Sequence, residues 1–185
     1  DLIILYPSFE RGGVTVNLIN FINFALKKKN NIYLISRNPN LRKFAYKKKI
    51  NFLKIPSFSI PFISERLLTS LLSIFYLIKS FDKCKKSESV VFSFQSNIIP
   101  IIISKIFNRK IIIRNSEDAI DATKFADNKF FAYFILLSKI MFYNLADGII
   151  TNSEKSKKSL QSIIYIKKKI KLIFNPYLKK ILKIK

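Results

Sequence analysis

The first residues that could do chemistry are two adjacent glycines, Gly12 and Gly13, which follow the apolar run Leu2–Leu5 and the loop that begins at Tyr6. Glycines at the start of a helix let a ligand approach the backbone, and free N–H groups there attract an anion such as phosphate. A tight turn that needs positive φ would use glycine for a different reason. The local pattern favours neither interpretation.

Polar side chains also follow two later strand candidates. Gln95 comes directly after Ser89–Phe94, and Arg114 closes an isoleucine run and is followed by Asn115. Ligands of an open parallel sheet bind outside the carboxyl ends of its strands, so these side chains are candidates for holding hydroxyls or a phosphate. For Arg114, a salt bridge to Glu117 or Asp118 is slightly favoured over ligand contact, and Ser153 is expected to cap a helix.

Two other groups could be reactive. Glu117, Asp118 and Asp121 could form an acid/base pair or a Mg²⁺ site, but a solvated acidic loop is the favoured interpretation. Cys84 lies among lysines that could lower its pKa. With no histidine or nearby acid to complete a site, Cys84 is expected to have no catalytic role.

Composition excludes several classes of site. The chain has no histidine and one cysteine, which rules out histidine-dependent triads, histidine-ligated metals and multi-cysteine clusters. Its three glycines, Gly12, Gly13 and Gly148, cannot form G-x-G-x-x-G or a Walker loop. What remains is acid/base, binding or transfer chemistry without imidazole.

The net charge of +23, from 34 basic and 11 acidic residues, suits nucleic acid or an anionic membrane surface. A genome rich in AT codons explains more than half of this lysine excess. The basic and aromatic segment Leu41–Lys54 could bind nucleic acid or lipid, but a solvated loop beside a strand is preferred to nucleic-acid binding. The apolar helices around Leu67–Ile78 and Phe130–Tyr143 fit either membrane-interfacial or core helices.

No transmembrane segment is expected, because the longest charge-free window, Ser89–Ser104, contains Gln95, Asn97 and Pro100. Neither an initiator methionine nor a basic region precedes Leu2–Leu5, so a signal peptide is not expected either. The protein is predicted to be cytoplasmic, either soluble or peripheral at a membrane.

Apolar runs alternate with helical patterns along the whole chain, which predicts βαβ units and a Rossmann-like, mainly parallel sheet with helices on both faces. The predicted strands are Leu2–Leu5, Asn31–Ser36, Ile50–Ile55, Ser89–Phe94, Lys110–Arg114, Gly148–Thr151 and Ile170–Phe174. The predicted helices begin near Val14, Ile63, Ile98, Asn128 and Glu154.

Three segments carry a resemblance to a known family. One is the opening Pro7-Ser8-Phe9-Glu10-Arg11-Gly12-Gly13-Val14. The other two form a pair: Tyr143-Asn144-Leu145-Ala146-Asp147-Gly148-Ile149-Ile150-Thr151-Asn152-Ser153, followed by Ile173-Phe174-Asn175-Pro176. Together they resemble family 4 glycosyltransferases. The resemblance covers essentially the whole chain. The histidine that such enzymes often carry at the cleft edge is missing, and Arg114 stands near that place.

The resemblance implies a GT-B architecture, in which two Rossmann-like domains face each other across a cleft. Residues 1–174 would be the N-terminal, acceptor-side domain and residues 175–185 the start of a linker to an absent C-terminal donor domain. Gly12 and Gly13 would approach the donor diphosphate, and Arg114, Asn115 and Gln95 would line the acceptor side. No metal or cofactor is implied, since a nucleotide-diphosphate sugar is the donor substrate.

The implied activity is retaining transfer of a sugar to a cell-envelope polysaccharide or glycolipid, with peripheral membrane contact, no nucleic acid, and no activity for this fragment alone. A stand-alone basic module for anionic membrane or nucleic acid is the alternative. A sugar-nucleotide epimerase is disfavoured, because G-x-G-x-x-G is missing and the one Tyr-x-x-x-Lys pair, Tyr165 and Lys169, lies near the last predicted strand rather than on a core helix.

Overall fold

The computed structural model describes residues 1–7, 13–57, 61 and 64–175. Within them, seven strands form one sheet: Leu2–Tyr6 (β1), Ile32–Ser36 (β2), Asn51–Lys54 (β3), Val90–Ser93 (β4), Lys110–Asn115 (β5), Gly148–Thr151 (β6) and Ile170–Leu172 (β7). All neighbours pair in parallel, in the order β3-β2-β1-β4-β5-β6-β7. The predicted parallel α/β fold is therefore confirmed.

The described helices are Gly13–Lys27 (α1), Pro39–Lys47 (α2), Glu65–Phe81 (α3), Ile98–Ile106 (α4), Ala119–Lys124 (α5), Lys129–Phe142 (α6) and Glu154–Ile163 (α7). Five of them, all but α2 and α5, match the predicted helices to within a few residues. Ser153 caps α7 as expected, since its Oγ accepts a 3.1 Å hydrogen bond from the Ser156 N–H.

Helices cover both faces of the sheet, as predicted. On one face α1 packs on the central strands and α2 on β2 and β3, with Leu18, Ile22, Leu41, Ile4 and Phe92 in one core. On the other face α3, α4 and α7 contribute Leu77, Ile101 and Leu160 to a second core with Ile3 and Ile113. The strand order reverses between β1 and β4, so the two halves of the chain diverge there and leave a crevice at the carboxyl ends of these strands.

The loop predicted for Leu41–Lys49 is wrong, because most of this segment is α2. The Asn38 side chain accepts a 2.9 Å hydrogen bond from the Asn40 N–H, and Pro39 occupies the first turn, where its missing N–H costs nothing. Leu41 and Ala45 then bury one helical stripe against the sheet. The lysine-rich appearance of the segment hid a short amphipathic helix.

The predicted acidic loop after β5 is also wrong in part. Asp118 caps α5 by accepting hydrogen bonds of 3.0 Å from the N–H groups of Ile120 and Asp121. Glu117 forms an ion pair with Lys139, and Asp121 forms one with Lys155. Each carboxylate is therefore used locally, and the described residues contain no group of three acidic or cysteine side chains that could hold a metal ion.

Asp147 makes hydrogen bonds that stabilise the amino-terminal edge of the sheet. Its carboxylate accepts hydrogen bonds from the Ile111 N–H at 2.8 Å and from Lys105 Nζ at 2.7 Å. Burial alone would raise the pKa of Asp147, but the hydrogen bonds from Lys105 and Ile111 outweigh it and lower the pKa below 3.8. The ionised carboxylate thus stabilises the folded state.

We expect Asp147→Asn to lower the free energy of unfolding by about 1 kcal/mol at pH 7. Because the pKa is lower in the folded state, this contribution is present above the unfolded value and is lost as pH falls through the folded value. The difference in the free energy of unfolding between the variant and the parent, measured by urea unfolding, should therefore be smaller at about pH 3 than at pH 7. Asp127→Asn, at an exposed carboxylate, is the control. An equal difference at both pH values would contradict the role of the Asp147 charge.

Candidate functional site

The candidate site lies at the carboxyl edge of the sheet, on the face covered by α1. Phe94 follows β4 and Arg114 lies near the end of β5, and strand alternation places both on this face. Tyr6 ends β1 on the same side, where its hydroxyl and Thr15 Oγ1 of α1 share a 2.9 Å hydrogen bond. Residues from three strands and one helix therefore converge on this corner.

Arg114 is the buried charge of this corner, with 6% of its surface exposed. Its guanidinium donates to Ser116 Oγ at 2.5 Å and to Asn175 Oδ1 at 3.1 Å, and lies 5.8 Å from the centre of the Phe94 ring. The expected salt bridge to Glu117 or Asp118 is wrong: among the described residues Arg114 forms no ion pair, and Glu117 pairs with Lys139.

Burial lowers the pKa of Arg114, and nearby Tyr6 opposes this shift. An arginine remains charged under such conditions, because its ordinary pKa is far above neutrality. Burying a cation among neutral partners costs desolvation free energy that no opposite charge offsets. An anion brought to this corner would supply that charge, so the site is suited to phosphate or carboxylate.

The start of α1 is the second anion-attracting feature of the corner. Gly13 has no positive φ, and a Cβ built on it would meet no atom within 4 Å. Neither turn geometry nor packing therefore requires glycine at this position. The first turn of α1 carries no acidic residue, and its free N–H groups favour an anion. Gly12 lies outside the described residues.

Asn115 does not join Arg114, although the two are consecutive, because adjacent strand residues point to opposite faces. Its amide nitrogen donates to Glu117 O at 2.7 Å and to Ser156 Oγ at 3.1 Å. Its Oδ1 accepts from the Tyr143 hydroxyl at 3.4 Å. Asn115 is thus held inside the protein, where it joins the end of β5 to α7.

A buried polar network continues from Asn115 toward β4. Asn97 Nδ2 donates to Arg114 O at 2.9 Å and to the Tyr143 hydroxyl at 3.3 Å, and Asn97 Oδ1 accepts from Ser93 Oγ at 2.8 Å. Burial strongly raises the pKa of Tyr143, so its hydroxyl stays neutral and serves as a structural donor. The network holds the backbone of Arg114 in place.

Gln95 is half-buried beside this network. The backbone carbonyl oxygen of Gln95 accepts a 3.0 Å hydrogen bond from Ser93 Oγ, which fixes the loop. The side chain of Gln95 makes no hydrogen bond to the described part of the chain. Of the predicted residues, Gln95 is therefore available for a ligand, as Arg114 and Gly13 are.

Sequence reasoning did not foresee two neighbours of the Arg114 guanidinium. Tyr6 was assigned no role and Asn175 only the start of a linker, yet Asn175 Oδ1 accepts a hydrogen bond from Arg114 and Tyr6 acts on its charge. Asn152 lies directly after β6, and its buried Oδ1 has no hydrogen-bond partner within the described residues.

Cys84 lies away from the site and is buried. Burial raises its pKa, and this effect outweighs the lowering by the N-terminal ammonium and Arg109. The expectation that surrounding cations would lower the pKa of this thiol is therefore wrong. A raised pKa disfavours the reactive thiolate.

Comparison with known proteins identifies the fold. No family model matches the chain, and no curated protein matches its sequence. Among solved structures, Anabaena HepE in complex with UDP-glucose superposes with a TM-score of 0.66 at 13% identity, covering 94% of this chain and 43% of that one. A glycosyltransferase from Rickettsia africae gives a TM-score of 0.57 at 17% identity, with coverages of 94% and 42%.

A UDP-GlcNAc 2-epimerase from Methanocaldococcus jannaschii is also similar, with a TM-score of 0.58 at 12% identity and coverages of 98% and 46%. The chain therefore has the Rossmann-like fold of one half of a GT-B protein and spans less than half the length of these structures. Because an epimerase shares this fold, the missing G-x-G-x-x-G motif and the position of Tyr165 and Lys169 near the last strand do not exclude every kind of epimerase.

Proposed function

We propose that this chain forms the N-terminal, acceptor-side half of a glycosyltransferase that uses a nucleotide-diphosphate sugar. The observation that carries the proposal is the Arg114 corner, where a buried guanidinium lies at the crevice of the sheet near the first turn of α1 and has no carboxylate partner among the residues that the structure describes. The structural likeness to HepE, a protein that binds UDP-glucose, supports a donor of this class.

The chemistry of sugar transfer fits this corner. The bond from the sugar's anomeric carbon to the donor diphosphate breaks, a bond to an acceptor hydroxyl forms, and the diphosphate leaves with added negative charge. Fixed N–H dipoles and cations that face the developing charge lower the barrier. In our proposal the N–H groups at Gly12 and Gly13 approach the diphosphate, while Arg114 and Gln95 line the acceptor side and Asn115 positions the loop after β5.

The finer features of the proposal follow from the resemblance to family 4 glycosyltransferases. They are a retaining stereochemical outcome, a cell-envelope polysaccharide or glycolipid as acceptor, and work at the cytoplasmic face of a membrane. None of the described helices is both long and apolar enough to cross a bilayer. Since the matched proteins are more than twice as long, we expect no sugar transfer by residues 1–185 alone.

One experiment separates the proposal from its rivals. The complete gene product containing this chain is incubated with UDP-[¹⁴C]glucose or UDP-[¹⁴C]GlcNAc and a membrane extract, and products are separated. Label in lipid or polysaccharide supports transfer, whereas conversion to another nucleotide sugar without acceptor indicates an epimerase. Strongly salt-dependent binding to duplex DNA, with no response to nucleotide sugars, would favour the basic binding module instead.

We expect Gly13→Ala to weaken nucleotide-sugar binding by the complete gene product about tenfold, because the added methyl group occupies the space in front of the α1 N–H groups. Stability should be unchanged or rise by up to about 0.5 kcal/mol, since no atom opposes the new Cβ. Isothermal titration and thermal unfolding measure the two effects. Gly148→Ala, where the Cβ would meet Ile112 at 3.6 Å, is the matched control. Equal affinities for Gly13→Ala and the parent would contradict the role of Gly13.

A further inference from the structure

The solvent side of α6 is apolar along its length. Five large side chains form what we call the α6 outer face, and they are exposed as follows: Phe130 85%, Tyr133 62%, Phe134 61%, Leu137 56% and Met141 60%. Phe130, Phe134, Leu137 and Met141 follow one another at three or four residues and so lie on one side of the helix, and Tyr133 flanks them. Phe125, before the start of α6, is also 73% exposed.

This arrangement inverts the usual polarity of a surface helix, which carries polar residues on its solvent side. The inner side of α6 buries Ser138 and Lys139, while Leu136 and Phe142 pack against the core. Contiguous exposed aromatic side chains cost free energy in water and are rare on monomeric proteins, except where a partner or a membrane covers them. The α6 outer face is therefore a docking surface.

The charges around this face favour a partner that is anionic as well as apolar. Lys124 and Lys129 are exposed at the amino-terminal end of α6, and Lys169 donates to Asn144 O just beyond its carboxyl-terminal end. Of the nearby carboxylates, Glu117 and Asp121 form ion pairs with lysines, whereas Asp127 is exposed just before α6, between Lys124 and Lys129. Lysines at both ends of an apolar helix face suit a bilayer whose headgroups are anionic.

The position of α6 relates this face to the candidate site. Glu117 follows the end of β5 by two residues and pairs with Lys139, so the part of α6 before Lys139 lies toward the carboxyl edge of the sheet. An apolar groove of about 460 Å³ between α5 and α6, lined in part by Ala122, Phe131 and Ile135, opens beside it. A bilayer seated on α6 would thus lie toward the carboxyl edge of the sheet, on the face opposite α1.

We propose that the α6 outer face docks the protein peripherally on an anionic lipid bilayer. The aromatic rings enter the interface between headgroups and acyl chains, and the flanking lysines approach lipid phosphates. Docking in this orientation brings the carboxyl edge to the membrane surface and makes a lipid-linked acceptor the substrate class. That last step rests on the proposed function, whereas docking itself does not.

A tryptophan reporter tests the orientation directly, since the chain contains no tryptophan. Phe134→Trp is mixed with vesicles of phosphatidylcholine and about one-third phosphatidylglycerol. We expect a blue shift of its emission that is smaller with pure phosphatidylcholine and is reduced by salt. The control is Phe75→Trp, at a 63% exposed position on α3, which should not shift. Equal shifts at both positions, or none at position 134, would overturn the proposal.

A loss-of-binding variant provides the second test. Phe130→Gln/Phe134→Gln/Leu137→Gln should lower vesicle co-sedimentation about tenfold or more without lowering the unfolding midpoint, because these side chains are already in water. The matched control replaces the exposed Leu67, Leu71 and Phe75 of α3 by glutamine and should bind like the parent.

Two results would overturn docking on lipid. One is unchanged co-sedimentation of the α6 variant; the other is a vesicle-independent, concentration-dependent dimer that this variant abolishes, which would make a second copy the occupant. The assay contains no nucleotide sugar. Failed docking with intact nucleotide-sugar binding would therefore refute this inference alone, and the reverse result would refute the proposed function.

Discussion

Arg114→Met in the complete gene product is expected to reduce affinity for the anionic ligand of the corner about 100-fold, and sugar transfer by at least as much. The guanidinium is buried with Ser116, Asn175 and the Phe94 ring as partners, so a neutral side chain of similar length removes an uncompensated charge. Stability should fall by less than about 1 kcal/mol, or rise, because the desolvation cost of that charge disappears.

Arg109→Met is the matched control at the opposite edge of the sheet. Arg109 donates to the carbonyl oxygens of Phe81 at 2.8 Å and Cys84 at 3.0 Å and to Ser89 Oγ at 2.8 Å, and its guanidinium lies 5.0 Å from the centre of the Phe81 ring. Its loss leaves these acceptors without their donor, so we expect about 2–3 kcal/mol of destabilisation and unchanged ligand affinity. Urea unfolding and nucleotide-sugar titration of both variants separate the two roles.

The reverse pattern would contradict a binding role for Arg114. If Arg114→Met unfolds as easily as Arg109→Met and binds ligand like the parent, the Arg114 side chain serves only to hold Ser116 and Asn175. Arg114→Lys adds a further distinction. It keeps a charge but loses the planar fork, so it should recover part of the affinity at a single anionic group.

Asn97→Ala is expected to lower the free energy of unfolding by about 2–4 kcal/mol. The Asn97 side chain is 7% exposed and joins Ser93, Arg114 and Tyr143 in one network. Alanine leaves the Arg114 carbonyl and the Ser93 hydroxyl without this partner in a site that water reaches poorly. The backbone under Arg114 is then less well fixed, so ligand affinity should also fall.

Asn31→Ala is the control for the Asn97 prediction. Asn31 also makes three side-chain hydrogen bonds: it donates to Asp1 at 2.9 Å and to the Tyr33 hydroxyl at 3.4 Å, and it accepts from Asn51 at 3.2 Å. It is exposed, however, and we expect a change within about 0.5 kcal/mol. A double-mutant cycle with Tyr143→Phe should give a coupling energy of about 1 kcal/mol, since both side chains belong to one network. Additive effects would contradict a cooperative network.

Local patterns were enough to place most of the elements. Ile111, Ile112 and Ile113 form a continuous apolar run that fits a strand buried on both faces, and the alternation of such runs with helices dictates parallel pairing. The helix α2 was missed because its apolar stripe consists of Leu41 and Ala45 among lysines, even though Asn38 and Pro39 carried a start signal.

The candidate site was predicted less completely. The rule that ligands bind at the carboxyl ends of parallel strands selected Arg114 and Gln95 correctly as edge residues. It could not show that Asn115 points away from Arg114, because β5 is buried on both faces and its apolar pattern does not reveal which face is which. The contact between Asn175 and Arg114 could not be predicted either, since the two residues are far apart in the chain.

The sequence by itself determined the fold class and the alternation of strands and helices, because these follow from hydrophobic periodicity. The edge at which a ligand would bind stays a prediction from the behaviour of parallel sheets. Only the tertiary structure decided that Arg114 is buried among neutral partners, that Asn97, Asn115 and Tyr143 form a network, and that the aromatic stripe of α6 faces solvent. Burial and pairing depend on residues far apart in the chain, and an apolar helix has the same sequence pattern whether its outer side meets protein, lipid or water.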